Sequence, residues 1–336
     1  MSLSRGERFM RRREFFTLIG GAMAAAPCIA IAQQFRKIPR VGYLWHAGNA
    51  QEEHPYFGAL LEGFARLGYV DGQNIKFEHR FANEVPARFK SMAEELASLN
   101  LDVLMGGSIA SPYLKNATAK IPIVFMFIPD PVGMKLVESL ARPGGNVTGL
   151  TNFGRDIAAK RLQLLKDTVP GLSRVAMLIN SNQQTARMYV DVTRAAAVEF
   201  GLFFQPFDAR TRDELEPAFD AMVKAGMQAV VLAQGGTAFQ WRAHYPKIAL
   251  ARRLALCAFS RETFEHGALL AYGPDQIEIT RRSAVLADKI IKGTKPSDIS
   301  VEQPASFEFL VNLRTAKALG VTVPQSVLIR ATEIIQ

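Results

Sequence analysis

From residue 40 onward the chain repeats one alternation: a short β-rich run, a stretch with helical spacing of apolar residues, then another β-rich run. Strands separated by helix-length segments need crossover connections, and these build βαβ units on a parallel sheet. A first set of β-rich runs falls at residues 41–45, 75–79, 101–105, 121–128 and 146–150, with helices expected at 56–67, 86–99 and 112–118. The run Ile123-Val-Phe-Met-Phe127 is apolar without a break, as in strands covered on both faces. A second set follows at 174–179, 202–207, 229–233, 254–259 and 269–272, with helices at 186–200, 212–225 and 240–252. Gly201 and Gly226 stop two of those helices as a left-handed cap does. Gly273-Pro274 breaks the chain before a long helix at 275–292. A strand at 307–313 and a short helix to Leu319 follow. The expected fold is α/β: two doubly wound parallel-sheet lobes joined by a hinge. The expected division is 38–152 with 273–300 for the N-terminal lobe and 153–272 with 301–336 for the C-terminal lobe.

The first 32 residues read differently. Arg12-Arg13-Glu14-Phe15-Phe16 precedes an apolar run at 17–32 that ends Ala30-Ile31-Ala32, the pattern of a secretory signal peptide. The paired arginines give it twin-arginine character. The run is too short to span a bilayer core of about 30 Å as a helix. A periplasmic protein beginning near Gln33 is therefore expected. Cys28 follows Pro27, where a lipobox would carry a small residue, so a lipid anchor there is disfavoured. Cys257 lies in an apolar run as a small buried hydrophobe, and two cysteines make no disulfide framework.

Apolar content of 49% and charged content of 21% are ordinary for a globular protein. Of the net charge of +9, residues 1–32 hold +3, from five arginines against two glutamates, which leaves +6. That surplus is spread out, without the basic runs that neutralise phosphates, so nucleic acid is not an expected partner.

Chemistry-bearing motifs are scarce. His46, His54, His79, His244 and His266 show no paired metal-ligand spacing, and no metal or cofactor is expected. No serine-nucleophile elbow is present. Gly106-Gly107-Ser108 lacks the ending of a phosphate loop and reads as a tight turn with ligand contact added. What remains is a set of polar residues just past strand carboxyl ends. These are Trp45-His46, Ser108 and Ser111, Asp130, Asn180-Ser181-Asn182, Gln234 to Thr237, and Ser260-Arg261-Glu262. Each alone is an ordinary cap or turn residue. Together they gather where open parallel sheets bind ligands, and two such sheets facing each other form a cleft.

Residues 121–133 (Ile-Pro-Ile-Val-Phe-Met-Phe-Ile-Pro-Asp-Pro-Val-Gly) continue into Leu140-Ala-Arg-Pro-Gly-Gly-Asn-Val-Thr-Gly149. With Glu53-His54-Pro55, Gly63-Phe64, Ala158 to Leu162, Gly267 to Gly273 and Asn312 to Gly320, the chain resembles the ABC-transporter substrate-binding proteins of the tryptophan/tyrosine type. The resemblance covers nearly all of the chain after the signal. It implies a type I periplasmic-binding fold with three crossovers, and delivery of a small organic solute to an ABC permease. It further implies that Ser108 and Ser111 hold a ligand carboxylate and Asp130 an ammonium. Asn180, Ser181 and Gln234 would be donors from the far lobe, and Trp45 or Tyr56 an aromatic wall. The chain departs from aromatic-amino-acid binders around Gly106 to Ser108, Ser181 to Gln184 and Phe259 to Arg261.

The expected function is therefore capture of a solute, such as an amino acid or related carboxylate, by a monomer without an enzymatic step. The ligand-binding set is Trp45, His46, Tyr56, Ser108, Ser111, Asp130, Asn180, Ser181, Gln234, Thr237, Ser260 and Glu262. A ligand sensor for a membrane receptor is the alternative. A hydrolase or transferase, further from this reading, would pair Glu262 with His46.

Overall fold

The structure, a computed structural model, describes residues 38–336. The expected signal peptide, its arginine pair and Cys28 lie outside the described residues. The described part begins β1 (Arg40–Trp45), α1 (Tyr56–Arg66), β2 (Lys76–Phe81), α2 (Pro86–Ser98), β3 (Val103–Gly107), α3 (Ala110–Ala117), β4 (Ile123–Ile128), β5 (Val147–Thr151) and α4 (Gly154–Thr168). It continues β6 (Arg174–Ile179), α5 (Ala186–Glu199), β7 (Phe203–Asp208), α6 (Leu215–Lys224), β8 (Ala229–Leu232), α7 (Gly236–Gln240), α8 (Tyr245–Ala251), β9 (Ala255–Ala258) and α9 (Arg261–Glu265). The remainder is β10 (Leu270–Pro274), α10 (Gln276–Ile291), β11 (Phe307–Asn312), α11 (Leu313–Leu319), α12 (Gln325–Leu328) and β12 (Glu333–Ile335).

Five parallel strands form the first sheet in the order β2-β1-β3-β4-β5. Strand alternation decides which helices cover it. Val41, Tyr43 and Trp45 of β1 face α1 and α10, while Leu44 faces α2 and α3, so both faces are buried. Gly63 lets α1 and α10 close on each other: a Cβ there would stand 2.7 Å from the Arg281 carbonyl oxygen. Asp275 caps α10 by accepting a hydrogen bond from the Glu278 amide.

The second sheet runs β12-β11-β10-β9-β8-β6-β7. It is parallel except where β11 pairs antiparallel with β10. One face carries the core of α4, α5 and α11, and the other that of α6 and α8. The chain passes between the sheets after β5, after β10 and again before β11. Just before the last passage, residue Glu302 bridges to Leu150 beside the first sheet.

Several elements differ from the sequence expectation. The helix expected at 240–252 is two helices, α7 and α8, because Pro246 opens α8 and cannot sit inside a continuous helix. The helix expected at 212–225 starts with a 3-10 turn at Arg212–Glu214 before α6. Helix α4 lies where no element is expected: its inward stripe includes Arg161, a charged residue that is only 3% exposed, and this breaks the apolar period. The short α9, α12 and β12 were likewise not expected; three to five residues carry no readable period.

Candidate functional site

The carboxyl ends of β1, β3 and β4 face those of β8 and β9 across an aromatic-lined cavity. From the first lobe, Tyr43 and Trp45 point the same way along β1 and stack with ring centroids 3.6 Å apart. Trp45 Nε1 donates to His79 Nδ1 at 3.1 Å. An accepting Nδ1 needs a neutral ring, and burial drops the His79 pKa to about 4. His46 goes the other way. Burial opposes its charge, but Glu53 and Glu84 outweigh that and raise it to about 9. Its Nδ1 lies 2.9 Å from Glu84 Oε1 and its Nε2 3.4 Å from Glu53 Oε2. Glu53 is 1% exposed and accepts from the Ala47 amide, and burial pushes its carboxyl up.

Tyr56, at the start of α1, adds a third ring, and Phe127 lies 5.6 Å from it. Ser108 and Phe127 hold positive φ of +41° and +58°, so the backbone turns sharply where β3 and β4 meet the cavity.

The second lobe contributes mostly backbone. Gln234-Gly235-Gly236 runs along the wall, and α7 delivers Phe239 into the first lobe's aromatic cluster. Its ring lies 5.2 Å from Tyr56 and edge-on to His46 at 5.3 Å. The Arg242 guanidinium sits 3.9 Å above that ring. Gly236 permits the approach: a Cβ there would stand 1.9 Å from Glu84 Oε1.

Of the expected ligand-binding residues, Trp45, His46, Tyr56, Ser108 and Gln234 line the cavity. Ser111 is buried, with its hydroxyl donating to the Gly106 carbonyl, and fixes the turn rather than the wall. Asp130 accepts from the Gly133 amide in the turn after β4 and is not among the lining residues. Asn180 donates to Thr237 Oγ1, which also accepts from Gln183, so Asn180 and Thr237 brace the loop behind α7. Ser181 bonds the Asp208 carboxylate through its amide and hydroxyl. Ser260 and Glu262 lie together at the start of α9, beside the hydroxyl of Tyr56. His46 and Glu262 are not partners: His46 bonds Glu84 and Glu53, and Glu262 bonds Tyr56 and Ser260.

Tyr43, Phe127, Phe239 and Gln276 also line the cavity and are absent from the expected set. Tyr43 and Phe127 sit in strands and read as core. Phe239 was hidden by the misplaced helix start. Gln276 opens α10, where a polar residue reads as an ordinary first-turn residue.

Two α/β lobes meeting over an aromatic and polar cleft have the architecture of a two-lobed solute-binding protein. The chain belongs to the ABC transporter substrate binding protein family, whose model matches residues 53–335. It is 27% identical over 273 residues to a tyrosine-binding protein of Clostridioides difficile, spanning 80% of this chain and 78% of that one. A conserved domain protein of Vibrio cholerae superposes with a TM-score of 0.82 at 26% identity, covering 89% of this chain and 100% of the other. A Streptococcus pneumoniae ABC domain solved with L-Trp has the same fold, with a TM-score of 0.79 at 23% identity and coverage of 88% and 100%. No helix among the described residues is long and apolar enough to cross a membrane.

Proposed function

We propose that the chain is the extracytoplasmic solute receptor of an ABC importer and captures an aromatic amino acid or a close relative between its lobes. The observation that carries this reading is the cavity wall. Six aromatic rings, from Tyr43, Trp45, Tyr56, Phe127, Phe239 and Phe259, border a space edged by Ser108, Gln234 and Gln276. Rings bind a flat apolar group through dispersion and excluded water, and the polar edge fixes orientation. The tyrosine-binding relative supports the same class of solute. Binding is noncovalent, with no catalytic step, and closure presents both lobes to a permease. The chain acts as a monomer, reached through export by its N-terminal signal.

The lobes divide as 38–152 with 273–300 and 153–272 with 301–336. Isothermal titration against amino acids, aromatic acids and short carboxylates tests the reading. The expected result is saturable one-to-one binding of an aromatic amino acid. Silence across all three classes overturns it.

A further inference from the structure

Beside the cavity, one carboxylate of the first lobe reaches the backbone of the second. Glu84 follows β2 on a turn in which Asn83 and Glu84 hold left-handed φ of +53° and +56°. Consecutive non-glycine residues in that region are strained, and such strain persists only where the surroundings impose it. Here the carboxyl end of β1 imposes it. The amides of Ala82, Asn83 and Glu84 donate to the carbonyls of Trp45, Ala47 and His46 at 3.0, 3.0 and 2.8 Å. The Glu84 side chain is fixed as well, with Oε1 2.9 Å from His46 Nδ1. Glu53 holds the same ring from its other nitrogen.

So anchored, the carboxylate lies against Gly236, the first residue of α7. A Cβ there would stand 1.9 Å from Oε1 and 2.6 Å from Cδ of Glu84. The end of a free glutamate would swing aside from such an approach. This one is held at its backbone and at its carboxylate, so the lobes meet over a stiff contact. Two further contacts cross at the same place. Phe239 sets its ring edge-on to His46, and Arg242 Nη2 donates to the Glu52 carbonyl at 3.5 Å. Arg242 Nη1 also donates to the Phe239 carbonyl, which ties that arm to α7. Glu84 itself is not among the residues lining the cavity.

We propose that Glu84 is the positioning residue of lobe closure: its carboxylate, held by His46, seats on Gly236 and keeps the cleft shut without touching the solute. The proposal rests on the solute-binding reading and names what sets the lifetime of the closed form. A contact made only when the lobes are together biases the equilibrium toward closure, and the solute feels it as slower escape.

The test compares the full chain with Glu84→Ala, Gly236→Ala and the double variant. Gly236 has no left-handed φ, so Gly236→Ala brings no backbone strain of its own. X-ray scattering of the ligand-free proteins reads the separation of the lobes, and stopped-flow fluorescence with L-tyrosine reads release. Each single variant should have a larger radius of gyration than wild type. Each should also release L-tyrosine about fivefold faster or more, with little change in association rate. In the double variant Gly236→Ala no longer meets a carboxylate, so it should add nothing to Glu84→Ala. Coupling of that kind across the cleft does not arise from a general loss of stability. Single variants that match wild type in both readouts overturn the clasp, and so do effects that simply add in the double variant. If L-tyrosine does not bind, the scattering series decides the clasp, while the titration above decides the solute-binding reading. Should Glu84→Ala fail to fold, Gly236→Ala decides alone, because it leaves every first-lobe backbone bond in place.

Discussion

The two walls of the cleft are built from different materials. The first lobe offers side chains: a stacked Tyr43–Trp45 pair, the charged His46 between two glutamates, and Tyr56 reaching toward the hinge. The second offers close backbone at Gly235-Gly236, the rings of Phe239 and Phe259, and the polar Gln234. Side chains locked by packing and ion pairs hold their shape before a ligand arrives. A glycine wall lets the other lobe come near enough to cover it. On the proposed function, the charged and stacked groups would do more of the recognition and the glycine wall would let the lobes close.

Truncating the recognition wall should do the most damage. Trp45 is 2% exposed and holds His79, so Trp45→Ala should cost about 3–5 kcal/mol, read as a lower urea midpoint. Phe239→Ala removes a ring that is buried mainly against the opposite lobe. It should lower the urea midpoint less than Trp45→Ala does, yet weaken ligand affinity by about tenfold or more. A Phe239 variant as unstable as the Trp45 one would erase the distinction between the walls.

Titration sharpens the contrast next. With a folded pKa of about 9 against about 6.5 unfolded, His46 contributes stability that is complete below about pH 6.5 and is lost as pH rises through 9. The loss is on the order of 3 kcal/mol. His79, lowered to about 4, has the opposite sign: its contribution is complete above about pH 6.5 and fades as pH falls through 4. Unfolding midpoints across pH 4 to 10 should peak between, and His46→Gln should flatten the alkaline limb alone. The smallest expected change is Gly236→Val. Its new side chain meets the Glu84 carboxylate that His46 holds, so affinity should drop about tenfold with little change in thermal midpoint. A Gly236→Val protein that binds at wild-type strength would show that close backbone approach is not what the second lobe supplies.

Much of the fold was legible because it rests on local pattern. The expected strands at 41–45 and 174–179 nearly match β1 and β6, since a strand covered on both faces writes a continuous apolar run. Helix α4 was not legible, because its buried Arg161 answers to its neighbours and not to the helical period. The site divides along the same line. Polar residues past strand ends announce an edge, and Trp45, His46, Ser108 and Gln234 do line the cavity. Nothing in the sequence distinguishes them from Ser111, Asn180 or Ser181, whose polar groups are consumed by neighbouring loops.

Sequence by itself determined that β-rich and helical segments alternate, that both faces of the sheets are covered, and at which strand ends polar groups collect. These follow from period and composition, which act over a few residues. Only the tertiary structure decided which polar groups face the cleft, that Phe239 crosses from one lobe into the other, and that Glu262 and Gln276 meet Tyr56 at the hinge. Tyr56 and Gln276 stand 220 residues apart. No local rule links them, and only the packing of α1 against α10 brings them within reach of a shared proton.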